Sequence, residues 1–127
     1  MATLGQYNAA NMTAQEVFDA GAAHLLEQGK KSIRHRPNVA PMCAYSALNN
    51  LSCGAAPFIQ DYSPDMEGES WEVLVEEYGQ AEEHLHLICA LQNCHDAYKS
   101  KDWQEVLKRL AHLHKLEDSV LENYKDA

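Results

Sequence analysis

Residues Ala81–Ser100 read AEEHLHLICALQNCHDAYKS, with His84, His86, His95, Cys89, Cys94 and Asp96 crowded into one short stretch. These residue types ligate metals and move protons, yet at helical spacing they can also form one buried face. On a helix advancing about 100° per residue, His84, Leu87, Ile88, Leu91, Cys94, His95 and Tyr98 share a face. His86 points almost directly away from His84, and Cys89 and Cys94 stand about 140° apart. His84 and His95 share a face but lie roughly 16 Å apart along the axis, too far for one ion. No histidine pair here has the four-residue spacing of a zincin helix. The stretch therefore predicts a helix over about 81–98 and not a self-contained metal site. Its two inward histidines are expected to donate ring hydrogens to carbonyls or carboxylates across the core.

Working outward, no glycine or proline follows Gly79, so the rest of the chain should be dominated by helix. A second helix is expected from Asp102, capped with Glu105, along Trp103, Val106, Leu107, Leu110, Leu113, Val120, Leu121 and Tyr124. It runs to Tyr124 or breaks near His114; at full length it offers a homodimer seam. Upstream, Ser70 is expected to cap a short helix through Trp71, Leu74, Val75 and Tyr78, stopped by Gly79. Thr13-Ala-Gln-Glu16 matches a capping box and predicts a helix over 14–28 ended by Gly29. Residues 1–12 read as a flexible N-terminus and 13–127 as a single helical domain.

The remaining section, MCAYSALNNLSCGA at 42–55, has strand-like runs at Met42–Tyr45 and Leu51–Ala55 around a turn rich in Asn and Ser. It predicts a β-hairpin with Cys43 opposite Cys53 and Tyr45 opposite Leu51, all on one face. Residues 56–69, with Pro57, Pro64 and Gly68, should be a loop. The fold class expected is mainly α (α+β), four or five helices packed with one small β-hairpin.

The 127 residues, 46% hydrophobic and 23% charged, are those of one soluble globular domain. Neither a secretory signal nor a bilayer-length apolar run is present, and the four cysteines read as reduced thiols in a cytoplasm. The net charge of −9 is unevenly spread. Between Arg36 and Lys99 there is no lysine or arginine, while Asp61, Asp65, Glu67, Glu69, Glu72, Glu76, Glu77, Glu82, Glu83 and Asp96 all fall there. Such a face repels nucleic acid and steers towards basic partners, although it also serves simply as a solubility surface. The basic residues Lys30, Lys31, Arg34 and Arg36 cluster in KKSIRHR, a patch too short to predict nucleic-acid binding.

Chemistry-bearing constellations are sparse. Cys43 and Cys53 with His84 and His95 would make a sulfur–nitrogen zinc set if hairpin and helix meet, but without the CxxC spacing of zinc knuckles. The His95-Asp96 pair is similar to the dyad of helical phosphohydrolases, which needs further ligands; only His24 or Asp118 would be at hand, without motif support. Phosphate-binding glycine loops, nucleophile elbows and the ordered spacing of an EF-hand are all missing. Neither a cofactor nor catalysis is expected. Trp71 and Trp103 sit on helical stripes and read as core anchors.

The order of landmarks nevertheless resembles a group of small uncharacterised proteins of tailed phages and prophages. It rests on Cys43, Tyr45, Cys53, Tyr62, Gly68, Trp71, Leu91, Gln92, His95, Asp96 and Trp103, across roughly 13–113. Ala47-Leu48-Asn49-Asn50 and the GAAPFIQ stretch depart from that group's pattern. The resemblance implies expression in a bacterial host cytoplasm and carries no known activity. Together with the charge it sets the functional expectation of an acidic accessory protein. Such a protein would bind and inhibit a host protein with a basic surface, such as a CRISPR effector, restriction enzyme, nuclease or RNA polymerase. The expected contacts are Asp65, Glu67, Glu69, Glu72, Glu76 and Glu77, with no direct nucleic-acid or membrane contact. Alternatives are a metal- or small-ligand-binding protein using Cys43, Cys53, His84 and His95, and a hydrolase using His95 and Asp96.

Overall fold

The computed structural model describes residues 5–36, 39–45 and 52–124. Its helices are α1 (Ala14–Gln28), α2 (Trp71–Tyr78), α3 (Leu85–Ala97) and α4 (Trp103–Leu113). Two short strands, β1 (Ile33–Arg36) and β2 (Val39–Cys43), pair antiparallel between α1 and α2 in the chain. Single 3-10 turns occupy Ala9–Asn11, Ala56–Phe58, Pro64–Met66 and Ser100–Asp102, and a longer one Ser119–Tyr124. The protein is mainly α, as its periodicity predicts. No helix among the described residues is long and apolar enough to cross a membrane.

Local chemistry sets the helix ends. Thr13 Oγ1 accepts the Glu16 amide at 3.1 Å and Glu16 Oε1 accepts the Thr13 amide at 2.8 Å, the reciprocal capping box that opens α1. Gly29, at φ +66°, closes it. Ser70 caps α2 by accepting the Val73 amide at 3.3 Å. The expected helix over 81–98 is shorter, because His84 takes a left-handed conformation at φ +64° and the helix begins only at Leu85. The last helix breaks at His114: the Leu116 amide reaches back to the Ala111 carbonyl and the Lys115 amide to that of His112, a Schellman stop with Lys115 at φ +57°. A long C-terminal seam for a homodimer is thus not formed. Lys115 is exposed, so Lys115→Gly should relieve a left-handed side-chain clash without losing packing. Thermal unfolding is expected to show a gain of about 1 kcal/mol.

α3 is the hub, packed against α1, α2 and α4. Its Leu87, Ile88, Leu91, Cys94 and His95 are buried, as the wheel predicts. They meet Phe18, Ala22 and Leu25 of α1, Trp71 and Leu74 of α2, and Trp103 and Leu107 of α4 in one core. The α1–α3 crossing is close because Gly21 has no side chain; a Cβ there would lie 2.5 Å from Leu91 Cδ1.

The β-hairpin expected at about 42–55 is not formed. Cys43 pairs with Ile33 and not with Cys53, and Ser52–Ala55 is irregular chain and turn. Residues 46–51, where that hairpin would have turned, lie outside the described residues, as do the side chains of β2. Ser52–Ile59 is instead a run of eight buried residues laid across the helices. Pro57 has no amide for a ladder, and Gly54 presses against the Leu91 backbone, where a Cβ would meet the carbonyl oxygen at 2.3 Å.

A buried irregular segment needs partners for its backbone, and here side chains supply them. Gln28 donates to the Ser52 carbonyl at 2.8 Å and accepts the Ser52 amide at 2.9 Å, as a neighbouring strand would. Gln80 does the same for Gln60, at 2.7 Å both ways. Gln15 does so for Glu117, at 2.9 and 2.8 Å, fastening the C-terminal segment to α1. At the other end of the chain, the Gly5 and Tyr7 amides donate to the Ala56 and Pro57 carbonyls.

Candidate functional site

The inward histidines belong to this backbone-satisfying set. His95 is fully buried, and its Nε2 accepts the Ser32 amide at 2.8 Å. That nitrogen therefore carries no hydrogen; Nδ1 carries it and donates to Asp96 Oδ1 at 2.7 Å. The ring also packs on Trp103, with centroids 5.6 Å apart. Neither nitrogen is free to act as a base on a substrate, so the His95-Asp96 pair has the geometry of a structural brace. His84 Nε2 donates to the Met12 carbonyl at 2.6 Å, far from the His95 contacts. Cys53 is buried beneath Ala55 and Gln92. The Cys43 side chain lies outside the described residues, and among the described residues no three potential ligands gather to hold a metal.

His24, which the sequence offered only as a further ligand for a hydrolase site without motif support, is the second brace. It is 1% exposed, and its Nε2 donates to the Ser52 and Cys53 carbonyls, each at 3.1 Å. Its Nδ1 is buried without a partner among the described residues. Burial holds the imidazole below its ordinary value of 6.5, outweighing the help from the two carbonyls. The unfolded chain thus binds this proton more readily than the folded one, and stability rises with pH across the window. Urea midpoints are expected to fall as the pH drops through 6.5, and His24→Gln should flatten that dependence. An unchanged slope in the variant would assign it elsewhere.

A cleft of about 410 Å³ lies between the Gly68–Glu72 segment and the outer face of α3. Cys89, Asn93 and Asp96 line the α3 side at three- and four-residue spacing, and Tyr45 and Trp71, both buried, border the cleft. Tyr45 is locked in place: its amide donates to Glu67 Oε1 at 2.8 Å and its hydroxyl to the Glu69 carbonyl. Glu67 also accepts the Tyr62 hydroxyl, so this carboxylate, expected at a partner surface, is half-buried and spent on positioning. Gln92 links the floor together, accepting the Ala55 amide at 3.0 Å and donating to Asp96 Oδ2 at 2.8 Å.

The other expected contacts, Asp65, Glu69, Glu72, Glu76 and Glu77, are exposed. Glu69 and Glu72 form the rim of the cleft, and Asp96, with its side chain 38% exposed, adds a third carboxylate. No ion pair among the described residues engages Glu69 or Glu72; Lys31 reaches the edge, its Nζ 3.1 Å from the Asp96 carbonyl. Burial, with the Glu72 charge, raises the Cys89 thiol, and burial raises Cys53 and pushes Cys94 up to about 12. Negative charge at the rim and a shape fixed by the Tyr45 and Gln92 hydrogen bonds characterise this region.

No family model, curated protein or solved structure matches the chain.

Sequence reading found the rim carboxylates but not Tyr45, Cys89 or Asn93 as neighbours. For the α3 pair a signal existed: Cys89, Asn93 and Asp96 recur on the wheel opposite to the apolar face. Nothing local could have placed Tyr45 beside them.

Proposed function

We propose that the protein is a non-enzymatic, acidic accessory protein of phage or prophage origin that binds and inhibits a host protein through a carboxylate-rich surface. The observation that carries this reading is the display of Asp65, Glu69, Glu72, Glu76 and Glu77 as exposed side chains along one segment and α2. The sequence from 37 to 98 contains no lysine or arginine. Glu72 and Glu76, one turn apart, share the outer side of α2 while Trp71 and Leu74 bury the inner one. A basic surface that normally holds nucleic acid is the complement of such a face, and the phage resemblance in the landmarks from Cys43 to Trp103 supplies the setting. Charge complementarity of this kind speeds encounter and sets specificity.

The test is affinity capture from host cells with tagged wild type and with Glu69, Glu72, Glu76 and Glu77 all reversed to lysine. The wild type is expected to retain a nucleic-acid-binding protein that the variant loses, and that raised salt releases. Identical captures from both baits would reduce the face to a solubility surface.

A further inference from the structure

Residues 116–124 are joined to the rest of the fold by a short bend at His114 and Lys115. Partners far upstream hold this segment in place. Gln15 pairs with the Glu117 main chain in both directions, and Tyr124 donates to Glu27 Oε1 at 2.8 Å. Gln104 donates to the Leu121 carbonyl at 3.0 Å, and Asp118 stands 3.4 Å from His112 Nε2. Leu121 enters the core, with Leu116 and Val120 partly buried against it. The segment is thus a small unit with specific contacts, attached through one link.

That link has a second conformation within reach. Lys115 is bent to φ +57°, where an L side chain crowds its own backbone. No glycine or proline follows Gly79, so nothing in the local sequence forbids α4 from continuing. Straightening also conserves hydrogen bonds. The Leu116 amide now reaches the Ala111 carbonyl and the Lys115 amide that of His112; in a continued α4 the two amides exchange those acceptors. Leu113 adds an independent sign. It extends the α4 stripe of Val106 and Leu110, yet beside the bend it is 82% exposed. Straightening within a lone chain would strip residues 116–124 from α1 and expose Leu121. Only another copy of the same segment restores each of those contacts.

We propose that two copies of this chain exchange residues 116–124: His114 and Lys115 join α4, and each segment docks on α1 and α4 of the other copy. Gln15 of one copy then holds Glu117 of the other, Glu27 holds Tyr124 and Gln104 holds Leu121, with the geometry these pairs have within one chain. A short hinge under strain favours such an exchange. Two left-handed lysines are relieved, and the two exposed Leu113 side chains are brought to the crossover, where each covers the other. Against this stands the entropy of association, so the dimer is favoured as concentration rises. The exchange requires neither the acidic face nor a host partner.

The experiment refolds the full chain from urea at millimolar concentration with a thiol reductant present, and reads size by chromatography with light scattering. A dimer is expected that dissociates slowly on dilution, because each segment must open before the copies part. In dimers made from equal parts of isotope-labelled and unlabelled chain, filtered NOEs should connect the Gln15 side-chain amide of one copy with Glu117 of the other. Lys115→Gly favours the bend and disfavours the continued helix by about thirtyfold per copy, so the dissociation constant should rise about a thousandfold. That variant keeps the monomer folded, so loss of its dimer is not loss of structure. Leu113→Asp should weaken the dimer about tenfold while leaving the unfolding midpoint of the monomer in place. Absence of a dimer in the wild type overturns the exchange. So does a dimer whose Gln15–Glu117 contacts stay within each copy, or one that Lys115→Gly leaves unchanged.

Discussion

Gly54→Ala is expected to cost about 3 kcal/mol and to lower the unfolding midpoint by roughly 10 °C. The added methyl would stand 2.3 Å from the Leu91 carbonyl oxygen, 2.6 Å from its carbon and 3.0 Å from the Gln92 nitrogen. All three obstacles are backbone atoms in the middle of α3, so no rotamer change makes room. Either α3 or the Ser52–Ile59 segment must move, and that segment is tied down at Ser52 by Gln28 and His24 and at Ala55 by Gln92. A shift therefore disturbs several buried hydrogen bonds together. Gly79→Ala is the comparison: nothing lies within 4 Å of its Cβ, so only the left-handed backbone at φ +69° is penalised, by about 1 kcal/mol. Urea unfolding of both variants checks the pair. Near-equal losses would show that the close approach at Gly54 is relieved easily.

The second large effect is at His95. His95→Ala removes a fully buried ring packed on Trp103, the acceptor of the buried Ser32 amide, and the donor to Asp96. The expected loss is about 3–4 kcal/mol, a cavity contribution plus broken hydrogen bonds. His95→Gln places an oxygen near the former Nε2 position and restores the acceptor for Ser32. It should recover about 1 kcal/mol of the loss. Equal stability of the two variants would show that packing alone keeps the histidine there. Host binding should survive His95→Gln, because the ring makes no surface of the cleft. A catalytic role would predict the reverse, with stability kept and function lost.

These effects mark what could be read in the chain and what could not. The capping box at Thr13–Glu16, the Ser70 cap, the glycine stops at Gly29 and Gly79 and the apolar face of α3 were all legible, because each depends on residues within a turn or two. The carboxylate rim was legible for a simpler reason: it follows from which residues are absent between Arg36 and Lys99. The hairpin at about 42–55 was misread because Ser52–Ile59 has the apolar composition of a strand. Its burial depends on side chains of Gln28, His24 and Gln92, which come from helices 24 to 37 positions away in sequence. Composition records how apolar a segment is, not who satisfies its backbone.

The cleft shows the same division. Glu69 and Glu72 announce themselves as charges, but Tyr45 reaches them only through Glu67 and the Glu69 carbonyl, across 22 and 24 residues of sequence. By itself, the sequence determined a mainly helical protein, the caps and glycine stops of α1 and α2, and a run of carboxylates without cations, since periodicity, caps and charge are local properties. Only the tertiary structure decided that the histidines are braces, that Glu67 is a positioning residue, and that two buried rings and three carboxylates border one hollow. Those outcomes depend on long-range hydrogen bonds and close backbone approach, which no local pattern encodes.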